Sequence, residues 1–104
     1  MYTIGQFSRI CQVSPKALRH YEKLGLLVPS RVDENNQYRY YAREQLDAVK
    51  AITFLKDLGI PLKTIKMIIK EGSKPEKIEG ILEEHRALLL EQLDTLNHRL
   101  VRLG

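Results

Sequence analysis

Lys16, Arg19, His20 and Lys23 fall on one side of a short helical segment, opposite Ala17, Leu18 and Leu24. An arginine fork can meet a guanine edge or a phosphate with two hydrogen bonds, and a lysine acts as a point cation. Further on, Tyr38-Arg39-Tyr40 alternates along a strand, so that Arg39 points opposite to the two tyrosines. Phenol hydroxyls and guanidinium groups are good donors to phosphate oxygens. These residue types bind a polyanion; they do not transform a substrate. The N-terminal end of a recognition helix is where base edges are touched. That singles out Lys16 and Arg19, with Ser14, His20 and Tyr21 beside them; Tyr38, Arg39 and Tyr40 are the candidates for the backbone. Each feature has a plainer alternative: a solvated cationic face for the helix, and a half-buried hairpin for the tyrosines. Among the tyrosines, Tyr41 has the best claim to a core position.

Lys63 and Lys66 lie about one turn apart at the start of another helix, where the dipole also favours a phosphate, although two lysines are also ordinary surface. Cys11 falls on the inward face of the first helix and reads as a structural thiol. As the single cysteine it excludes an internal disulfide and a cysteine-cluster metal site. His85 and His98 have no partner at ligand spacing, so no metal or other cofactor is expected. No Ser/His/Asp set, glycine-rich phosphate loop or apolar carboxylate pair is present, which leaves an enzyme without residues.

The elements that must position these groups are marked by local signals. Thr3 and Gln6 match a capping box, and Ile4, Phe7 and Cys11 then share a helical face. Ser14-Pro15 is an N-cap followed by proline at the first helical position, and Gly25 stops a second helix over about residues 15–24. Two short helices joined by a tight turn at Val13 have the form of a helix-turn-helix, about residues 4–23. Pro29 blocks further helix. Arg31-Val32 and Tyr38-Arg39-Tyr40-Tyr41 read as two strands of a wing, about residues 30–41, with positive φ expected at the asparagines of the 33–37 turn. A third helix follows over about residues 43–58 with Leu46, Val49, Ile52 and Leu55 inward, and ends at Gly59. Pro61 opens a fourth with Leu62, Ile65, Ile68 and Ile69 inward. Gly72 ends it, and Ser73-Lys74-Pro75-Glu76 opens the last.

The last helix carries Leu82, Leu89, Leu96 and Leu103 every seven residues, a coiled-coil spacing. Ile81, Leu88, Leu93 and Leu100 widen the stripe, and Ile78, His85, Gln92 and Arg99 form a mixed companion seam. At about 1.5 Å per residue the helix is on the order of 40 Å long. That is too long to bury in so small a domain, and such a stripe left in water is a liability, so self-association is expected. Leu82, Leu89, Leu93, Leu96, Leu100 and Leu103 are the candidate dimer contacts.

Charge follows the same division. Residues 1–70 hold twelve Lys/Arg against six Asp/Glu, and residues 71–104 hold five against seven. All seven aromatic residues precede residue 55. The first two thirds therefore suit a polyanion and the last third does not. No apolar run approaches a membrane span and no leader pattern opens the chain, so a cytoplasmic protein is expected. The expected fold is mainly α: a winged helix-turn-helix with a two-stranded wing over residues 1–71, and a long dimerisation helix over residues 73–104.

These residues, taken in order, closely resemble the MerR family of bacterial transcription regulators. The resemblance covers residues 2 to about 70. It is carried by Tyr2-Thr3-Ile4-Gly5-Gln6-Phe7-Ser8, by Val13-Ser14, and by Ala17-Leu18-Arg19-His20-Tyr21-Glu22-Lys23-Leu24-Gly25-Leu26-Leu27. It continues with Pro29, Arg31, Tyr38-Arg39-Tyr40-Tyr41, Phe54-Leu55-Lys56-Asp57-Leu58-Gly59-Ile60 and Ile65-Lys66. It implies a homodimer joined by an antiparallel coiled coil, with the second helix in the major groove of promoter DNA and the wing residues Arg31, Tyr38, Arg39 and Tyr40 on the flanking backbone. Lys63 and Lys66 correspond to a region that also meets the backbone. It further implies binding to a pseudo-palindromic promoter spacer that is bent and untwisted so that RNA polymerase engages both promoter elements, at a deformation cost on the order of several kcal/mol.

The chain departs from the family at Gln37, where glycine usually precedes the Tyr-Arg pair. It departs also at His20, where tyrosine is common, and at Ala42, which lacks the usual hydroxyl N-cap. Metal-sensing members carry cysteines beyond the long helix and drug-sensing members a further domain. An effector site is therefore expected to be absent from these residues, which read as a DNA-binding fragment of a longer regulator, or else as a minimal member without a sensor. Two other readings remain. An architectural, excisionase-like module would bend DNA without regulating polymerase, but would not need the leucine-spaced helix. A protein-interaction module would not confine its cations to the winged half.

Overall fold

In the computed structural model, which describes residues 1–70 and 74–104, Thr3 both ends a strand and starts a helix. Its backbone belongs to β1 (Tyr2–Thr3) and its side chain caps α1 (Ile4–Cys11). Gln6 N–H donates to Thr3 Oγ1 at 3.2 Å and Thr3 N–H donates to Gln6 Oε1 at 2.9 Å, so both halves of the capping box form. Gln12 leaves α1 in the left-handed region (φ 60°), with its side-chain amide donating to the Arg9 carbonyl at 3.0 Å. Ser14 Oγ then accepts from Ala17 N–H at 3.0 Å, and Pro15 opens α2 (Pro15–Lys23).

Two helices end by the same device. After α2, Gly25 N–H donates to Glu22 O at 3.0 Å and Leu26 N–H to Tyr21 O at 2.8 Å. After α3 (Gln45–Asp57), Gly59 N–H donates to Lys56 O at 2.9 Å and Ile60 N–H to Leu55 O at 3.2 Å. Gly25 and Gly59 take φ of 71° and 85°. This is the double hydrogen-bond pattern that satisfies the last helical carbonyls, and Leu26 and Ile60, the residues just beyond, are both buried. A side chain at either glycine would be strained by its φ.

The wing has one more strand than expected. The sheet runs β1-β3-β2, with β2 at Arg31–Val32 and β3 at Arg39–Tyr41, both pairs antiparallel. Tyr2 faces Tyr41 and Thr3 faces Tyr40 across β1–β3, while Arg31 faces Tyr40 and Val32 faces Arg39 across β2–β3. A two-residue strand carries no periodicity, so its pairing is decided by position and not by pattern. In the wing turn the left-handed residue is Gln37 (φ 62°), not an asparagine. Asp33 Oδ1 accepts from Asn35 and Asn36 N–H at 2.8 and 3.3 Å, and Asn36 Oδ1 accepts from Tyr38 N–H at 2.9 Å. The short polar side chains thus close the turn, and the positive φ falls on the residue before the strand.

α3 starts at Gln45, two residues later than expected, because Ala42 offers no side-chain acceptor. Half of a capping box survives: Ala42 N–H donates to Gln45 Oε1 at 2.8 Å. The same oxygen accepts from Ser30 Oγ at 2.8 Å, and Gln45 Nε2 donates to Val28 O at 2.6 Å. One side chain therefore ties residues 28–30 to the start of α3. The fourth helix, α4, is Leu62–Lys70 and the fifth, α5, is Pro75–Leu103. The expected stop at Gly72 and opening at Ser73 lie outside the described residues.

The chain divides into two compact units, Met1–Ile69 and Lys70–Gly104. The first holds the core: Phe7, Leu18, Tyr21, Leu26, Leu27, Tyr41, Val49, Ile52, Leu55, Ile60, Ile65 and Ile68 are buried. Phe7 stacks on Tyr41 with ring centroids 4.6 Å apart. Leu24 and Ile69, both expected inside, are more than a third exposed, since each sits at the end of its helix where the core runs out. The second unit is α5, 29 residues with no buried residue among them. No described helix is long and apolar enough to cross a membrane.

Candidate nucleic-acid interface

α2 presents its cations outward because Leu18 and Tyr21 are turned into the core. Lys16, Arg19, His20 and Lys23 are all exposed on that helix, and Ser14 stands exposed at its N-cap with its hydroxyl engaged by Ala17 N–H. Tyr21 has to be removed from the candidate contacts. It is 2% exposed, its ring belongs to the core, and Lys56 Nζ lies 5.9 Å from the ring centroid. The position i+3 from Leu18 shares the inward face, which an aromatic fills.

The wing brings its residues to the same side as Arg19. An open concavity of about 340 Å³ is lined by Thr3, Ile4, Arg19, Gln37, Tyr38 and Arg39, joining the start of α1, the middle of α2 and the wing. Tyr38 is 60% exposed there. Arg31 is exposed on the neighbouring strand, its guanidinium carbon 4.7 Å from the centroid of the half-buried Tyr40 ring, an arrangement that holds the cation flat against the wing. Tyr41, as expected, is fully buried.

Arg39 is not a free cation. Its Nε donates to Glu22 Oε1 at 2.5 Å, with the two side chains 34% and 27% exposed. The hydrogen bond from Glu22 and its charge raise the Arg39 pKa further above an already high value, so the guanidinium stays charged throughout. Burial, and then the nearby Glu22 carboxylate, push the Tyr41 phenol above its ordinary value of 10.0. The Tyr41 hydroxyl is buried without a hydrogen-bond partner, which carries a desolvation cost.

Lys63 is exposed at the start of α4 and does not line this concavity. Lys66 packs against the end of α2: a Cβ on Gly25 would lie 3.4 Å from Lys66 Nζ. It thus sits where the carbonyl end of the α2 dipole favours a cation. Glu22 and Gln45 were invisible to sequence reasoning. Each has partners 15 to 17 residues away, a separation at which no spacing rule operates; the contact of Gln45 with Ala42 alone is local. Among the described residues no group of three or more His, Cys, Asp or Glu could hold a metal ion.

On the second unit, Leu89, Leu93, Leu96, Leu100 and Leu103 are between 43% and 86% exposed, while Leu82, nearer the start of α5, is half-buried. A shallow groove lined by Leu88, Glu91, Gln92, Thr95, Leu96 and Arg99 runs along the same helix.

The model of the MerR HTH family of regulatory proteins matches residues 2–83. The chain belongs to this family. Its MerR relatives include the transcriptional regulator BrlR of Pseudomonas aeruginosa, 37% identical over 99% of this chain and 39% of that protein. Another is the multidrug-efflux transporter 2 regulator of Bacillus subtilis, 42% identical over 80% of this chain and 30% of that protein. The chain therefore spans 30% to 39% of the length of these relatives. Among solved structures, the cryo-EM structure of an EcmrR–DNA complex in EcmrR-RPo superposes with a TM-score of 0.87 at 32% identity, covering 98% of this chain and 37% of that one. The MerR match extends through residue 83, beyond residue 70 and into α5.

Proposed function

We propose that these residues form the DNA-binding and dimerisation region of a sequence-specific transcription regulator. Residues 1–71 bind DNA and residues 73–104 pair with a second copy through an antiparallel coiled coil. α2 enters the major groove with Lys16 and Arg19 at base edges or the adjacent phosphates, and His20 beside them. Arg31, Tyr38, Arg39 and Tyr40 hold the flanking backbone, with Lys63 and Lys66 at the periphery. The observation that carries this reading is the concavity in which Arg19 of α2 and Tyr38 and Arg39 of the wing meet. A helix face and a ribbon that converge on one side suit a groove and its bordering phosphates together.

The pairing is supported by the exposed leucines of α5, which have no cover within the described residues of their own unit. Two wings on a dimer are suited to holding a bent promoter spacer, with the deformation energy met by added backbone contacts. Regulation at a promoter together with RNA polymerase is the reading supported by a relative named as a transcriptional regulator and by the similarity to EcmrR in its DNA complex.

Sedimentation of the chain with a pool of palindromic promoter-spacer duplexes, at two salt concentrations, tests the proposal. A dimer that selects one duplex class with salt-sensitive affinity is expected. A monomer, or a dimer indifferent to duplex sequence, rejects it. On the selected duplex Arg19→Ala is expected to lose about 1–3 kcal/mol while binding to random DNA falls less. An equal loss on both would make Arg19 a backbone contact only.

A further inference from the structure

Glu22 is the one acidic residue of α2, on a helix whose outward face is otherwise cationic. A carboxylate beside a polyanion is unfavourable by itself. As a part-exposed ion pair with Arg39 it adds little to stability. Neither effect accounts for a carboxylate at this place. The arrangement of the three groups does. Arg39 lines the concavity together with Arg19, and Glu22 does not. Glu22 holds the Nε edge of Arg39, and the guanidinium has further N–H donors on its terminal nitrogens.

We infer that Glu22 is a positioning residue for DNA: it holds the Arg39 guanidinium at the concavity so that Arg39 meets the backbone phosphate bordering the groove that Arg19 enters. This rests on the DNA-binding reading. It adds that the wing is docked on α2 through a charged pair whose acid never touches the duplex. Holding a long side chain in place beforehand lowers the entropy lost on binding. The phosphate contact then gains a guanidinium already held in place, where a mobile one would have to be ordered on binding.

The test uses the duplex selected from the palindrome pool, titrated over a range of salt with wild type and variants. Glu22→Gln is expected to bind about fivefold more weakly although it removes a negative charge. Binding as tight as wild type, or tighter, as charge removal alone requires, overturns the inference. The exchanged pair, Glu22→Arg with Arg39→Glu, is expected to keep the wild-type melting temperature but not to recover binding; recovery would make the pair a mere tether and also overturn the inference. Should Glu22→Gln fail to fold, Glu22→Asp decides, since it keeps the charge but shortens the reach. Weaker binding by folded Glu22→Asp supports positioning, and unchanged binding refutes it. Failure of the DNA-binding reading itself is seen separately, as a wild type that selects no duplex.

Discussion

Leu18 and Ile52 are sealed inside residues 1–69, whereas Leu93 and Leu96 on α5 stand more than half exposed, although both sets recur at helical spacing. The first unit folds three contiguous stretches, α1–α2, the wing and α3–α4, around one core, with Phe7 stacked on Tyr41 inside it. α5 has 29 residues and buries none of them. Helices draw most of their stability in proteins from packing an apolar face. The same chemistry therefore supports the two regions differently: the winged unit by its own interior, and the long helix, under the proposed pairing, by a second copy.

The largest break in that contrast is expected from Phe7→Ala. It removes a fully buried ring and its stacking partner's contact, and is expected to destabilise the winged unit by about 3–5 kcal/mol, read by denaturant titration. A loss below 1 kcal/mol would mean that the first unit does not depend on its own core. Leu89→Lys with Leu96→Lys is expected to do the opposite. The sedimentation coefficient falls to that of a monomer and palindrome binding weakens, while near-ultraviolet signals of the tyrosines in the first unit persist. An unchanged sedimentation coefficient would discard the pairing.

Smaller effects sharpen the account of the winged unit. Gln37 holds a left-handed φ of 62°, a position glycine occupies without steric cost. Gln37→Gly is expected to raise stability by about 0.5–1 kcal/mol, after allowing for the greater freedom of glycine in the unfolded chain. A lower melting temperature would show that the Gln37 side chain contributes more than its backbone costs. Tyr41→Phe removes a buried hydroxyl without a partner and is expected to be within about 1 kcal/mol of wild type at neutral pH. The phenol pKa is raised in the folded state, so the unfolded chain releases its proton first. Its contribution is thus full below pH 10 and is lost as pH rises through and above that value. Wild type should lose stability there more steeply than Tyr41→Phe; parallel curves would mean that Tyr41 ionises freely.

Much of this architecture is written in short-range signals. Thr3 and Gln6, Ser14 and Pro15, and Gly25 and Gly59 act within a turn of their own position, through hydrogen bonds or φ values that depend on few neighbours. The heptad leucines, the split of charge and the buried position of Tyr41 are likewise legible from residue order. Their consequences follow from helical and strand periods, which are properties of the chain itself.

Tertiary structure decided the rest. Tyr2 and Thr3 became a strand only because β3 lies beside them, some forty positions later in the chain. Tyr21 turned inward, Lys66 settled at the end of α2, and Glu22 took hold of Arg39 across the wing. Each outcome depends on which distant surface arrives next to a side chain. Periodicity and capping rules reach only a few residues, so they specify the helices of this protein, whereas the pairing of its short strands and the partners of its polar side chains are set by packing.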